Sequence, residues 1–251
     1  MSECSGVLDR PDGERLAWRR VEGSGPTVVW LGGFMSDMTG TKAQALADRA
    51  LAAGGAYVRF DYFGHGGSSG AFVDGTISRW RDDALAVLDE LTTGEVVLVG
   101  SSMGGWIASL VTMARPDRVK SMVLVAPAPD FTSKLMTPEI PPEGHAALAA
   151  DGVWLRPSAY GEPYPISRAL LEDGARWSIL TGAPVPIEVP VRILQGGQDP
   201  DVPWRHALEL VQALKGDDVV FTLIRDGDHR LSRPQDIDRL IAAVEDACAI
   251  V

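Results

Sequence analysis

The chain is poor in cysteine and in positive charge, and it lacks any long apolar run. Only Cys4 and Cys248 occur among its 251 residues, so neither a disulfide framework nor a CxxC pair for zinc or redox chemistry can be built. Lys and Arg number 23 against 34 Asp and Glu, a formal charge of −11. Such an excess repels phosphate backbones and anionic lipid, which argues against nucleic-acid binding and against a polybasic membrane role. No stretch approaches the roughly 20 apolar residues that span a bilayer, so no stable membrane insertion is expected. The opening MSECSGVLDRPDGERLAW has no basic stretch followed by an apolar one and does not read as a secretory signal, from which a cytoplasmic chain is expected. The sequence also has no Walker loop, no GxGxxG at a first strand and no metal-ligand cluster, so no cofactor and no metal are implied.

What is present is a rhythm. Short apolar runs at Val28–Leu31, Tyr57–Phe60, Val96–Val99, Met122–Val125 and Val191–Leu194 suit parallel strands buried on both faces. Helical patterns at Lys42–Ala53, Ser78–Leu91, Gly104–Ala114, Trp204–Leu214 and Pro234–Ala249 alternate with them. Thr41 with Gln44, and Ser232 with Gln235, have the spacing of a capping box and predict two helix starts there. The polar, strand-like Glu14–Val21 is followed by the turn signal EGSGP, which fits an antiparallel hairpin at one edge. The expectation is an α/β fold in a single domain over 1–251, with a mostly parallel central sheet flanked by helices on both faces. Residues 131–187 interrupt the rhythm with prolines and a helical pattern at Ser167–Leu180. A loop of that length without structure is improbable in a compact domain, so it reads as a small, partly helical cap inserted over the sheet's C-terminal edge.

The strongest chemical signal is Gly100-Ser101-Ser102-Met103-Gly104, a G-x-S-x-G placed between a buried strand and a helix. A serine on that turn is pushed above the sheet, and glycines on either side let strand and helix approach. Ser102 is therefore the candidate nucleophile, and it needs a base. Of the four histidines, His229 lies on the loop DGDH after a strand-like stretch and before the last helix, where the chain order Ser, acid, His places it. His206 falls in a helical pattern, His145 in the insertion and His65 in a glycine turn. Asp199, on the loop leaving the strand Val191–Leu194, is the candidate acid, with Asp201 as runner-up and Asp130 as an earlier-strand alternative. The Met103 N–H and the Phe34 N–H, after Gly32-Gly33, are candidate oxyanion donors. Among the large apolar residues of the insertion, Met136, Trp154 and Trp177 are candidates for an acyl pocket.

These residues resemble the α/β-hydrolase superfamily, and more closely its group of mitochondrial palmitoyl-protein thioesterases and acyl-glucuronide esterases with their bacterial relatives. The resemblance is carried by GGFMSDMTGTKA at 32–43, RFDYFGHGGSSG at 59–70, RWRDD at 79–83, LVGSSMGGW at 98–106, GVWLRPSAY at 152–160, DPDVPW at 199–204 and DHRLSRPQDI at 228–237. It implies hydrolysis of esters or thioesters, with nucleophile, acid and base falling on Ser102, Asp199 and His229. The substrate would be a small ester or thioester, an acylated protein being a second option; the oligomeric state stays open. One departure is Gly32, where the group usually has His, which would loosen the oxyanion loop. Ser102 excludes the carboxylate-nucleophile chemistry of haloalkane dehalogenases and epoxide hydrolases. Cofactor-free lyases, perhydrolases and non-catalytic ligand-binding proteins of the same fold remain as alternatives, and the intact Ser-Asp-His set weighs against the last of them.

Overall fold

The computed structural model describes residues 2–157 and 163–250; the last residues of the stretch at 152–160 lie outside them. Eight strands form one sheet in the order β1-β2-β4-β3-β5-β6-β9-β10: β1 (Glu3–Asp9), β2 (Arg15–Val21), β3 (Ser24–Leu31), β4 (Gly55–Phe60), β5 (Val96–Ser101), β6 (Val119–Val125), β9 (Val191–Gly196) and β10 (Val219–Ile224). From β4 to β10 every pairing is parallel, and β2 runs antiparallel to both neighbours. The alternation of side chains along each strand divides the core in two. In β5, Val96 and Leu98 face one apolar layer while Val97 and Val99 face the other, and in β6 Met122 and Leu124 oppose Val123 and Val125 in the same way. The first layer is completed by α2 (Ile77–Leu91), α3 (Met103–Ala114) and α6 (Trp204–Ala213), the second by α1 (Thr41–Ala53) and α7 (Pro234–Ala249). Burial on both faces is why these strands read as unbroken apolar runs.

Three expectations need correction. The antiparallel hairpin joins β1 to β2, across the turn after Asp9, and β2 then pairs with β4 rather than with β3. Neither capping box forms. Gly40 and Arg233 occupy the cap positions of α1 and α7 without a side-chain capping bond; Gln44 instead donates to Asp48 within the helix at 2.9 Å, and the Ser232 hydroxyl donates to the Arg230 carbonyl. The side-chain caps are Thr76, which accepts from Arg79 N–H, and Ser167, which accepts from Leu170 N–H.

Between β6 and β9 the chain makes tight helical turns at 132–139, α4 (Pro142–Ala150), a two-stranded antiparallel hairpin of β7 (Val153–Arg156) and β8 (Tyr164–Ser167), and α5 (Arg168–Arg176). The hairpin was not foreseen. Asp130 clasps the two ends of this segment, its buried carboxylate accepting from the backbone N–H groups of Ile179 and Leu180, each at 2.8 Å.

A second buried carboxylate fixes the loop that follows β3. Asp61, 3% exposed, accepts from Met38 N–H at 2.6 Å and Gly67 N–H at 2.8 Å, tying the loops after β3 and β4 together. Burial pushes its carboxyl above the usual carboxylate range, and the two N–H donors pull it back. Asp61→Ala strips two amides of their acceptor, at about 1–3 kcal/mol for each one left buried. We expect a loss of about 2–4 kcal/mol in urea unfolding, and a midpoint unchanged from wild type would show that water replaces the carboxylate at no cost.

Candidate active site

Ser102 sits where β5 meets α3, with φ 54° and ψ −117°. L-residues rarely adopt such a conformation, and it persists only where surrounding contacts over-determine it. Those contacts are visible on all sides. Ser102 N–H donates to the Val125 carbonyl at 2.9 Å, and its own carbonyl accepts from Gly105 N–H at 2.9 Å and Ala128 N–H at 3.1 Å. A Cβ on Gly100 would lie 2.4 Å from the Gly104 carbonyl oxygen, and one on Gly104 would lie 2.0 Å from that of Leu31. Only glycine at both positions lets strand, turn and helix close to this distance.

The other two residues arrive on loops at the same edge. His229 follows β10, and its Nε2 is 3.2 Å from Ser102 Oγ while its Nδ1 is 2.8 Å from Asp199 Oδ2. Asp199 follows β9, and its carboxylate is surrounded by donors: Asp201 N–H at 2.9 Å and Val202 N–H at 2.8 Å on Oδ1, and the Gln195 amide at 3.1 Å on Oδ2 beside the histidine. Its side chain is 0% exposed against 18% for His229. A carboxylate held this way keeps its orientation. Because the Asp199 oxygen can only accept, the proton on His229 belongs on Nδ1, which leaves Nε2 free to accept from the serine hydroxyl. Gln195 was missed in the sequence, where a lone amide at the end of an apolar run carries no motif. Its Nε2 also donates to the Val202 carbonyl at 3.0 Å, fixing the loop that bears the acid.

The alternatives lie elsewhere. Asp130 is engaged in the clasp described above, Asp201 lies beside the acid and lines the cavity below, and His206 Nε2 donates to the Pro129 carbonyl at 2.7 Å. His65 is buried among Tyr62, Phe72 and Trp80, where desolvation lowers its pKa. Asp199, Asp201 and His229 can also bring one ligand atom each within 4.8 Å, but the contacts of Asp199 and His229 are already those just described.

Two cavities meet at Ser102, sharing Phe34, Tyr164 and His229 on their walls. One, of about 190 Å³, runs under the inserted segment past Met103, Phe131, Leu135 and Met136. The other, of about 370 Å³, has a mixed wall that bears the polar Ser36, Asp37, Lys42 and Arg230 beside Trp30 and Met35. Burial lowers the pKa of Lys42 to about 8. Phe34 and Met103 both face the first cavity, and Met103 N–H is in the first turn of α3, where no intrahelical partner exists. Gly32 does not leave its loop slack, because Ser36 returns both its N–H, at 3.2 Å, and its hydroxyl, at 2.8 Å, to the Gly33 carbonyl.

Of the three residues nominated for an acyl pocket, only Met136 lines this cavity. Trp177 is turned away: its indole N–H donates to Ser78 Oγ at 2.7 Å, its carbonyl accepts from the Trp106 indole at 3.2 Å, and the Arg81 guanidinium covers its ring. Trp154 is buried within the insertion against Gly144, where a Cβ would lie 3.0 Å from the indole. Tyr164, unnominated, stands on both cavities instead.

The profile of the alpha/beta hydrolase family matches residues 27–243. The bovine mitochondrial palmitoyl-protein thioesterase ABHD10 is 37% identical over 241 residues, 95% of this chain and 78% of its own length, and the human protein of that name is 34% identical with the same coverage. Among solved structures, mouse alpha/beta hydrolase domain-containing protein 10 superposes with a TM-score of 0.88 at 32% identity, covering 97% of both chains. A protein of Agrobacterium vitis S4 that carries a hydrolase assignment superposes with a TM-score of 0.94 at 47% identity over 99% of this chain and 100% of its own. These relatives correct the expectation of a cytoplasmic chain, since the thioesterases matched over most of the sequence are named as mitochondrial.

Besides the bond from His229 to Asp199, the loops bearing these residues are knitted through their backbones. Gly197 N–H donates to Ile224 at 2.7 Å and Gln198 N–H to Gly227 at 2.9 Å, while a Cβ on Gly196 would lie 2.3 Å from the Asp228 carbonyl oxygen. Gly196→Ala must displace one loop, at an expected cost of about 1–3 kcal/mol. Urea unfolding reads that cost, and a variant as stable as wild type would mean that the two loops part freely.

Proposed function

The chain belongs to the alpha/beta hydrolase family, and from that premise we propose that it hydrolyses carboxylic esters or thioesters through an acyl-enzyme on Ser102, with His229 as base and Asp199 as acid. The observation that carries this reading is the hydrogen-bonded run from Ser102 Oγ to His229 Nε2 at 3.2 Å and from His229 Nδ1 to Asp199 at 2.8 Å. His229 takes the serine proton as Oγ attacks the acyl carbon, and Asp199 stabilises the imidazolium that forms. The Phe34 and Met103 N–H groups receive the developing oxyanion. The imidazolium then protonates the leaving oxygen or sulfur, and water, deprotonated by the same histidine, releases the acid.

The two cavities divide the substrate. The apolar one takes the acyl group under residues 131–187, which act as the cap, with Phe131, Leu135 and Met136 against the chain. At about 190 Å³ it is below the roughly 300–1,000 Å³ of drug-sized pockets, which favours short and medium acyl groups. The other takes the leaving group. Relatives named as palmitoyl-protein thioesterases support a thioester as one substrate class, and a cysteine thiolate leaves more readily than an amine.

Ser102→Ala should abolish labelling by a fluorophosphonate probe and lower hydrolysis of p-nitrophenyl butyrate by about 10⁴-fold or more, whereas Ser101→Ala should be mild. Asp199→Asn should cost about 10⁴-fold by favouring the wrong histidine tautomer. Turnover by Ser102→Ala within tenfold of wild type would overturn the assignment. Across p-nitrophenyl esters from acetyl to decanoyl, kcat/KM should rise and then fall, each buried methylene contributing about 0.8 kcal/mol until the cavity is full.

A further inference from the structure

The acyl cavity is not apolar throughout. Beyond Phe131, Leu135 and Met136 its wall includes two charged residues of the insertion, Glu139 and Arg156. Arg156 ends β7 and pairs across the hairpin with Tyr164, the residue that stands over both cavities. Residues directly opposite on an antiparallel pair present their side chains to the same face, so the hairpin delivers Arg156 and Tyr164 to the site together. Tyr164 is seated against Phe34, with ring centroids 6.0 Å apart, which anchors that face of the hairpin near Ser102.

Among the described residues, Glu139 holds Arg156 weakly. Its Nη2 is 3.5 Å from Glu139 Oε2, with side chains 34% and 69% exposed, and an exposed pair of this kind contributes little. A guanidinium offers five donors in a planar fork suited to binding a carboxylate through two oxygens. Glu139 and Asp201 share that wall, so an anionic group binds there only by reaching the Arg156 guanidinium directly, in place of Glu139.

We propose that Arg156 makes its part of this cavity wall an anion-binding subsite, so that the enzyme accepts short acyl groups terminating in a carboxylate. The proposal rests on the reading of Ser102 as nucleophile and of this cavity as the acyl side. The incoming carboxylate exchanges with Glu139 for the guanidinium, and Arg156 touches that carboxylate without a part in the covalent step.

The test compares two p-nitrophenyl esters with one leaving group, the glutarate monoester and the valerate, which differ in the terminal carboxylate. Arg156→Ala should lower kcat/KM for the glutarate monoester by about tenfold to hundredfold, the range expected for a charge-assisted hydrogen bond, and leave the valerate within about threefold. Arg156→Lys should recover part of the loss, and Glu139→Gln, which removes the competing carboxylate, should raise kcat/KM for the glutarate monoester. An equal loss on both esters, or no loss on either, overturns the subsite while the hydrolase reading stands. If wild type hydrolyses neither ester and takes no fluorophosphonate label, the nucleophile assignment fails, and the subsite with it.

Discussion

The site depends on one contact, the approach of α3 to the ends of β3 and β5 at a distance that admits no Cβ on Gly100 or Gly104. At that distance the residue between strand and helix has no ordinary backbone conformation open to it, and Ser102 takes φ 54°. The strain is held by hydrogen bonds from β6 and from the turn after it, so the serine is positioned by the sheet rather than by its own loop. Everything else at the site is arranged around this fixed point. The β3 loop comes alongside through Gly33, where a Cβ would lie 3.3 Å from the Ser101 carbonyl oxygen, and Asp61 holds the far end of that loop.

The same device recurs at β9. Gly196 and Gly197 let the loop after β9 close upon the loop after β10, backbone to backbone, and this sets Asp199 against His229 before any side chain is considered. Gln195 and the N–H groups of Asp201 and Val202 then fix the carboxylate within that frame. The acid is thus held by three donors besides the histidine, which means its orientation does not rely on the bond to His229. Preorganisation of this kind suits the role proposed for Asp199, that of stabilising an imidazolium on His229 without rearrangement.

How far all this could be read in the sequence follows from the range of the interactions involved. Ser102 and Asp199 could be nominated because each follows a strand buried on both faces, β5 or β9, and such strands announce themselves as apolar runs; His229 follows the half-exposed edge strand β10 and was nominated from chain order instead. The elbow glycines were legible because the close approach they permit is local. β1 was not, since Glu3–Asp9 is a polar edge strand with one neighbour and little apolar content. Trp154 and Trp177 were misplaced for a different reason. Their apolar bulk marked them as candidates for a pocket, yet an indole also carries an N–H, and where that N–H finds an acceptor decides which way the ring faces. For Trp177 the acceptor is Ser78 on α2, far away in the chain. The capping boxes failed on the same ground: Thr41 and Ser232 had the spacing, but α1 begins at Thr41 and α7 at Pro234.

The inserted segment is fastened to the rest of the molecule near its ends. Asp130 joins its start to Ile179 and Leu180 through two backbone N–H groups, and Trp177 fixes its exit to α2 and α3. These bonds engage the hydrolase core, so they set where the segment sits over Ser102 but not what its inner face presents. That face is supplied by the turns at 132–139 and by the β7–β8 hairpin, whose side chains line the cavity without being needed for the fastening. If this cavity takes the acyl group as proposed, substitution at Leu135, Met136, Glu139, Arg156 or Tyr164 would change acyl specificity while the clasp, the elbow and the loop bearing Asp199 remain as they are. Specificity and chemistry are therefore separable here, because they rest on different sets of contacts.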